Sequence, residues 1–274
     1  MGRTGQRSFV GAGFVVLPGL LSAVGLRQAR VAADRAVAAP DGLSCERPNN
    51  TLVPLRWDSP LVELMLGESD RIAEAVEARD LRWISGYVSV KDPHSPPLWW
   101  HQDWWAWDHP VSFQREATQV AVLCYLTDTR VDTGALRVIP GSHVASVPLH
   151  GVLPEAHSDD SRALDLAHPA MTDDPDQITF ELRAGDAVAL DYRLLHGTHA
   201  HAGSRRRDCV LINFAPHWSD LPPDIKRHLV CHPALPGTDD PPPGEEIARL
   251  LPNFDGPRGN LPLNRNPPTS FGTH

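Results

Sequence analysis

Trp99-Trp100-His101-Gln102-Asp103-Trp104-Trp105-Ala106-Trp107 places an imidazole and a carboxylate two residues apart inside a run of indoles. In an extended strand, side chains two apart share a face, so His101 and Asp103 converge on one point while Gln102 turns away. A neutral imidazole and a carboxylate form two thirds of a site for a divalent first-row metal, and a third ligand must come from elsewhere in the chain. The bland alternative is a surface His-x-Asp pair engaged in ordinary hydrogen bonds. If the strand persists, Trp99, Trp105 and Trp107 share the ligand face and Trp100 and Trp104 take the other.

Around this stretch the chain reads as short strands. Leu81–Val90 and Ala117–Leu126 are rich in β-branched or aromatic residues, as are Ala135–Ile139, Ile178–Leu182, Ala187–Leu190 and Cys209–Phe214. Turns such as Asp132-Thr133-Gly134, Pro140-Gly141-Ser142 and Ala184-Gly185-Asp186 separate them, and the 27 prolines and 20 glycines agree with many such connections. A mainly β (α+β) protein with a closed or double-sheet core follows. Upstream, Gly13–Leu17 reads as a strand and Ser22 caps a helix running to about Ala38. Ala39–Pro60 reads as loop, and Leu61–Ala78 as a helix with an apolar stripe.

The segment from His150 to Gln177 is acidic and aperiodic, the usual character of a lid over a pocket or of a solvated insertion. The proline-rich tail from Leu221, with one helical candidate at Glu245–Leu251, is expected to pack around the core. The whole chain, 1–274, is expected to form one domain: core about 80–218, N-terminal strand and helices 1–79, C-terminal packing segment 219–274.

A net charge of −9 excludes nucleic acid and anionic membranes as natural partners, since both select basic surfaces. It also favours an uncharged or cationic substrate over a coenzyme A thioester. Cys45, Cys124, Cys209 and Cys231 form no Cys-x-x-Cys pair and read as free thiols in a reducing, cytoplasmic setting. Phe9–Leu26 carries no charge after Arg3 and Arg7, yet Gly11, Gly13, Pro18 and Gly19 interrupt it, which argues against a signal or spanning helix.

A second informative stretch runs Gly185-Asp186-Ala187-Val188-Ala189-Leu190-Asp191-Tyr192-Arg193-Leu194-Leu195-His196-Gly197-Thr198, then Arg205-Arg206-Arg207. It reads as turn, buried strand, a histidine where the apolar run ends, a turn, and a basic cluster entering the next strand. His196 therefore sits at the rim of the core. His199 and His201 are rivals to it, as Arg205, by strand parity, is to Arg207; Arg206 should face the other way.

Taken together, His101-Gln102-Asp103, Gly134-Ala135-Leu136-Arg137-Val138-Ile139-Pro140-Gly141-Ser142-His143, Gly185-Asp186, and His196-Gly197-Thr198 followed by Arg207 resemble the phytanoyl-CoA dioxygenase family of Fe(II)- and 2-oxoglutarate-dependent oxygenases. The resemblance spans about residues 80–215 and implies a double-stranded β-helix, a cupin-like jelly-roll core with flanking helices. It implies His101, Asp103 and His196 as a facial triad on Fe(II), and Arg207 and Thr198 holding the far carboxylate of 2-oxoglutarate. Consumption of O2, with release of succinate and CO2, would hydroxylate an unactivated C–H of a small organic metabolite. Retention of Asp103 favours oxygen transfer, because related halogenases carry a small residue there. Trp107, with Trp105 and Tyr87, is the candidate substrate contact; Gln119 and Tyr125 lie on neighbouring strands. His143 and Arg137 are expected to be structural, and no obligate protein partner is expected. The rivals are a cupin-like metal hydrolase or isomerase without 2-oxoglutarate, and a non-catalytic jelly-roll binding protein.

Overall fold

The computed structural model describes residues 8–38, 45–46, 49–268 and 271. Two antiparallel sheets lie face to face. In the larger sheet the spatial order is β1 (Phe14–Leu17), β9 (Ala187–Asp191), β6 (Val120–Tyr125), β11 (Arg207–Ala215), β4 (Arg82–Lys91), β3 (Thr51–Leu55) and β2 (Cys45–Glu46); the smaller runs β5 (Leu98–His101), β10 (His196–Thr198), β7 (Leu136–Val138), β8 (Ile178–Phe180). This is the expected jelly-roll core.

Strand parity divides the larger sheet between two cores. On β6, Ala121, Leu123 and Tyr125 face inward with Val188, Leu190 and Cys209 against Leu136, Val138 and Phe180 of the small sheet. Val120, Val122 and Cys124 face outward with Ala187, Ala189, Val210 and Ile212, under α2 (Ala23–Ala38), α3 (Pro60–Leu66) and α4 (Ser69–Ala75). Because helices cover the outer face, β6 is buried at every position. That is why its sequence shows an unbroken apolar run instead of alternation.

The N-terminal reading holds. A short helix α1 (Phe9–Ala12) precedes β1, and Ser22 Oγ accepts from the Gly25 amide at the start of α2. No helix among the described residues is long and apolar enough to cross a membrane. Cys124 and Cys209 are buried free thiols and Cys231 is a half-buried one; the Cys45 side chain lies outside the described residues.

Several expectations fail for physical reasons. The loop read over Ala39–Pro60 contains β3, hidden by Pro54; among the described residues β2 pairs with Thr51 and Leu52 and not with the proline, which has no N–H to give a ladder. The single helix at 61–78 is two, broken at Gly67-Glu68, where glycine is a poor helix former. The tail carries a helix, α6 (Pro223–Leu229), that the proline pair concealed, since proline fits the first helical turn. The Glu245–Leu251 candidate is shorter, α7 (Glu245–Ala248). The segment 150–177 holds a further short helix, α5 (Asp159–Arg162), and 3₁₀ turns.

Strand β10 is also missing from the sequence reading, because His-Gly-Thr looks like a turn. Gly197 has a packing reason: a Cβ there would stand 2.8 Å from Leu98 O and 3.0 Å from Trp99 O. Only glycine lets β10 approach β5 so closely.

Candidate active site

That close approach brings the two histidines together. His196 and His101 are direct partners in the β10/β5 register, and their ring centroids are 4.2 Å apart. Each ring is oriented by its own chain: His101 Nδ1 hydrogen-bonds Trp99 O at 2.9 Å and His196 Nδ1 hydrogen-bonds Leu194 O at 3.0 Å. A backbone carbonyl on Nδ1 requires a proton there, which leaves Nε2 of each ring as a lone-pair donor.

β5 ends at His101, so strand parity does not carry the rest of the tryptophan run. The chain instead turns under hydrogen bonds from the β9–β10 connection: the Asp103 and Trp104 amides both donate to Tyr192 O at 2.9 Å, and the Gln102 side-chain amide donates to Arg193 O. This turn brings the Asp103 carboxylate to the two imidazoles, Oδ1 3.7 Å from His101 Nε2 and Oδ2 3.5 Å from His196 Nε2. All three ligand atoms lie within 4.8 Å of one another. Donor atoms each about 2.1 Å from a shared ion stand about 3–4 Å apart, so one cation can reach all three.

Burial, reinforced by the neighbouring His196, holds the His101 pKa well below its ordinary value, which keeps it a neutral ligand. Burial opposes ionisation of Asp103, but the hydrogen bond from His157 and the nearby His196 and His101 outweigh it and hold the carboxyl well below the usual range. His157 is the residue that sequence reasoning missed. It comes from the aperiodic acidic segment and donates from Nε2 to Asp103 Oδ1 at 2.9 Å, and only the expectation of a lid hinted at it.

A second cluster lies between the sheets. Arg207 opens β11 and is 4% exposed, with its guanidinium carbon 5.3 Å from the Tyr125 ring centroid. Its Nε has no hydrogen-bond partner, and neither does the buried Thr198 Oγ1. Buried donors without acceptors are costly, and such a set fits an anionic ligand with oxygen acceptors. The donor set therefore suits both a ferrous ion and a dicarboxylate.

The rival residues are engaged elsewhere. His199 Nε2 bonds Thr179 Oγ1 at 2.9 Å, His201 Nε2 bonds Arg205 O at 2.7 Å, and His143 Nε2 bonds Val10 O at 3.0 Å. Arg205 is exposed, and Arg206 pairs with Asp34 and Asp208. Arg137 is structural: it caps the Thr172–Asp173 turn and stacks 4.5 Å over Trp100.

A cavity of about 600 Å³ opens beside Asp103, walled by His157, Trp105, Tyr87, Tyr192 and Gln119 among others. Tyr87 and Trp105 are thus where the sequence put them. Trp107 is not: it is buried against Phe113 and Phe271 and does not line the cavity. The reason is the end of β5 at His101, after which its parity argument has no strand to act on. Trp105 offers little free face, since His228 lies 4.1 Å over its ring and its Nε1 is held by Gln119 at 2.6 Å. The tail does more than pack, because His228, His232 and Arg265 also line this cavity.

The sequence profile of the phytanoyl-CoA dioxygenase family matches residues 9–209, most of the chain. The chain belongs to the phytanoyl-CoA dioxygenase family. Relatives include the L-proline trans-4-hydroxylase of Streptomyces griseoviridis, 30% identical over 144 residues that cover 46% of this chain and 52% of that protein. The ectoine dioxygenase of Nocardia farcinica is 32% identical over 109 residues, 37% of this chain and 36% of that protein. The chain thus spans about half the length of the first of these relatives and about a third of the second.

Among solved structures, HygX from Streptomyces hygroscopicus, with nickel, 2-oxoglutarate and hygromycin B bound, superposes with a TM-score of 0.57 at 21% identity, over 76% of this chain and 84% of that one. At that identity the likeness establishes the jelly-roll fold of this family member.

Proposed function

We propose that this protein is an Fe(II)- and 2-oxoglutarate-dependent dioxygenase that hydroxylates a C–H bond of a small organic molecule. The observation that carries the reading is the meeting of His101, Asp103 and His196 within one cation's reach, with a buried guanidinium, Arg207, whose Nε has no partner, on the strand beyond. Fe(II), 2-oxoglutarate and O2 together supply the oxidant, and the balance is R–H, O2 and 2-oxoglutarate giving R–OH, succinate and CO2.

The protein's own part is orientation. Trp99 O and Leu194 O fix the two imidazoles so that both Nε2 atoms face the cation. His157 holds Asp103 Oδ1, which presents Oδ2 toward the same point. Arg207 and Thr198 receive the far carboxylate of 2-oxoglutarate, a match of guanidinium fork to carboxylate that a lysine would not provide. The cavity beside Asp103 receives the substrate and excludes water around it. A metal hydrolase or isomerase without the keto acid has no use for the Arg207 cluster, which disfavours that reading. The protein is read as acting in the cytoplasm on a free small molecule, as one domain.

Anaerobic addition of Fe(II) and 2-oxoglutarate tests the reading. A weak visible charge-transfer band, lost in Asp103→Ala, is expected; no band and no 2-oxoglutarate binding by titration would refute it.

A further inference from the structure

Arg265 reaches the cavity from the irregular C-terminal segment, and it is held in place. The Asn264 amide donates to Trp105 O at 2.8 Å, the Trp107 amide donates to Asn264 O at 3.2 Å, and Asn264 Nδ2 donates to Asp108 Oδ1 at 2.6 Å. This latch joins the tail to the turn that follows the His-x-Asp stretch. The half-buried Arg265 guanidinium donates to the backbone carbonyl of Asp103 at 3.3 Å, and no carboxylate among the described residues pairs with it.

The charges around the cavity are few. Its wall contains one carboxylate, Asp103, and one arginine or lysine, Arg265. Burial, and then the charge of Arg265, lowers the His228 pKa; burial, and then His228, lowers that of His232 to about 4. Both therefore face the cavity as neutral imidazoles at pH 7. Ser85, Gln119 and Asn213 add neutral polar groups to the wall, and its third imidazole, His157, is taken up by Asp103 Oδ1. Once Asp103 is committed to a cation, no carboxylate of the wall is left to balance Arg265. The tryptophan run offers no open stacking face, because His228 covers the Trp105 ring and Trp107 lies outside the cavity.

We propose that Arg265 anchors the substrate through one anionic oxygen group, a carboxylate or a phosphate monoester, so that the site takes small acidic molecules. The idea rests on the oxygenase reading for its chemistry, but not for the binding. The guanidinium contacts the backbone of the same residue whose side chain belongs to the triad. Anchor and reaction centre are therefore about one residue's reach apart, and the C–H oxidised lies only a few bonds from the anionic group. Local charge here points opposite to the chain's net −9, as it can in a pocket that focuses its own field.

The test uses the full chain and a panel of small carboxylic acids, L-proline and benzoic acid among them, with their primary amides and matching phosphate monoesters. Binding is read by titration calorimetry on the protein loaded with Zn(II), which would occupy Asp103 without supporting oxidation, and substrate-triggered succinate formation is read with Fe(II), 2-oxoglutarate and O2. Acids or phosphates are expected to bind at least tenfold more tightly than the amides, and the class that does so names the group. Arg265→Gln should remove that preference, and Arg265→Lys should keep part of it, while the anaerobic Fe(II)·2-oxoglutarate band and its titration stay unchanged in both. The inference is overturned if the amides bind as well as the acids, if no acid or phosphate binds wild type more tightly than Arg265→Gln, or if Arg265→Gln loses the band. Anion binding that depends on Arg265, with no succinate from any compound, would uphold the anchor and count against the oxygenase reading instead.

Discussion

Replacing Arg207 by Met is expected to split binding from stability in opposite directions. Arg207 is 4% exposed, has no acidic partner among the described residues and leaves Nε unsatisfied near the Thr198 hydroxyl, which is in the same state. Removing one member of a buried, hydrogen-bonded charge pair costs about 2–5 kcal/mol. The dissociation constant for 2-oxoglutarate should therefore rise roughly 30- to 3,000-fold, at about 1.4 kcal/mol per decade. Ligand present at a hundred times the wild-type constant stabilises the folded state by about 2.7 kcal/mol, and by about 0.9 kcal/mol or less once that constant rises thirtyfold or more. The free protein should respond the other way: a buried charge with no acidic partner among the described residues is gone, so its melting temperature should hold or rise. Thermal melts under anaerobic Fe(II), with and without 2-oxoglutarate, measure both quantities at once. A full ligand-induced shift in Arg207→Met would refute the assignment, and a large loss of stability in the free variant would show that Arg207 is structural.

Three further outcomes are expected. Gly197→Ala drives a methyl group against Leu98 O and Trp99 O, so it should cost about 1–3 kcal/mol in denaturant melts and weaken metal binding by moving His196 off His101; unchanged metal affinity would separate Gly197 from the site. Lys91 is fully buried, and burial, with Arg207 and Arg137, pushes its pKa down to about 6. The unfolded chain, titrating near 10.4, holds the extra proton between those values, so the stabilising contribution is complete above the upper value and falls as pH drops toward 6. Lys91→Met removes that titration together with the Nζ hydrogen bonds to Asn49 O and Pro96 O, so it should flatten the rise of stability between pH 6 and 10, whereas an unaltered profile would place the titration elsewhere. Arg193 and Asp191 form a buried two-bond pair, Nε to Oδ1 at 3.0 Å and an amino nitrogen to Oδ2 at 2.6 Å, in the connection that carries His196. Arg193→Met should cost about 3–5 kcal/mol, and Arg193→Met with Asp191→Asn less than that; additive losses would deny the pairing.

What the sequence made legible follows from periodicity. Leu81–Val90 and Ala117–Leu126 announced β4 and β6 because paired, buried strands demand β-branched and aromatic side chains along their length. His101 and His196 were legible because each stands at the end of an apolar run, His101 as the last residue of β5 and His196 as the first of β10. Asp103 was correctly grouped with His101 for a reason that does not hold: the strand stops at His101, and hydrogen bonds to Tyr192 O make the turn that aims the carboxylate. The same false premise sent Trp107 to the substrate side. Strand β10 was obscured by Gly197, whose role is to let two backbones meet, a cause invisible until the partner strand is known. His157 and Arg265 have no local signal at all, since each belongs to an aperiodic segment whose position is set by tertiary hydrogen bonds.

That difference in legibility has a physical counterpart in how the site is built. The residues proposed to carry the oxygen chemistry lie on or beside paired strands: His101 on β5, His196 and Thr198 on β10, Arg207 on β11, with Asp103 in a turn bonded to the β9–β10 connection. Ladder hydrogen bonds on both sides of β10 and β11 fix them. Much of the cavity's outer wall comes instead from the acidic segment through His157 and from the tail through His228, His232 and Arg265. Segments of that kind tolerate change that a ladder does not. A substitution in the wall should therefore alter which molecule is accepted while leaving metal and 2-oxoglutarate affinity intact, and a substitution on β10 or β11 should do the reverse. His157 is the one wall residue expected to break this rule, because its hydrogen bond to Asp103 Oδ1 couples the wall to the triad. His157→Phe should weaken metal binding as well as substrate binding, and a variant that altered substrate choice alone would show that the acidic segment acts on the pocket without acting on the cation.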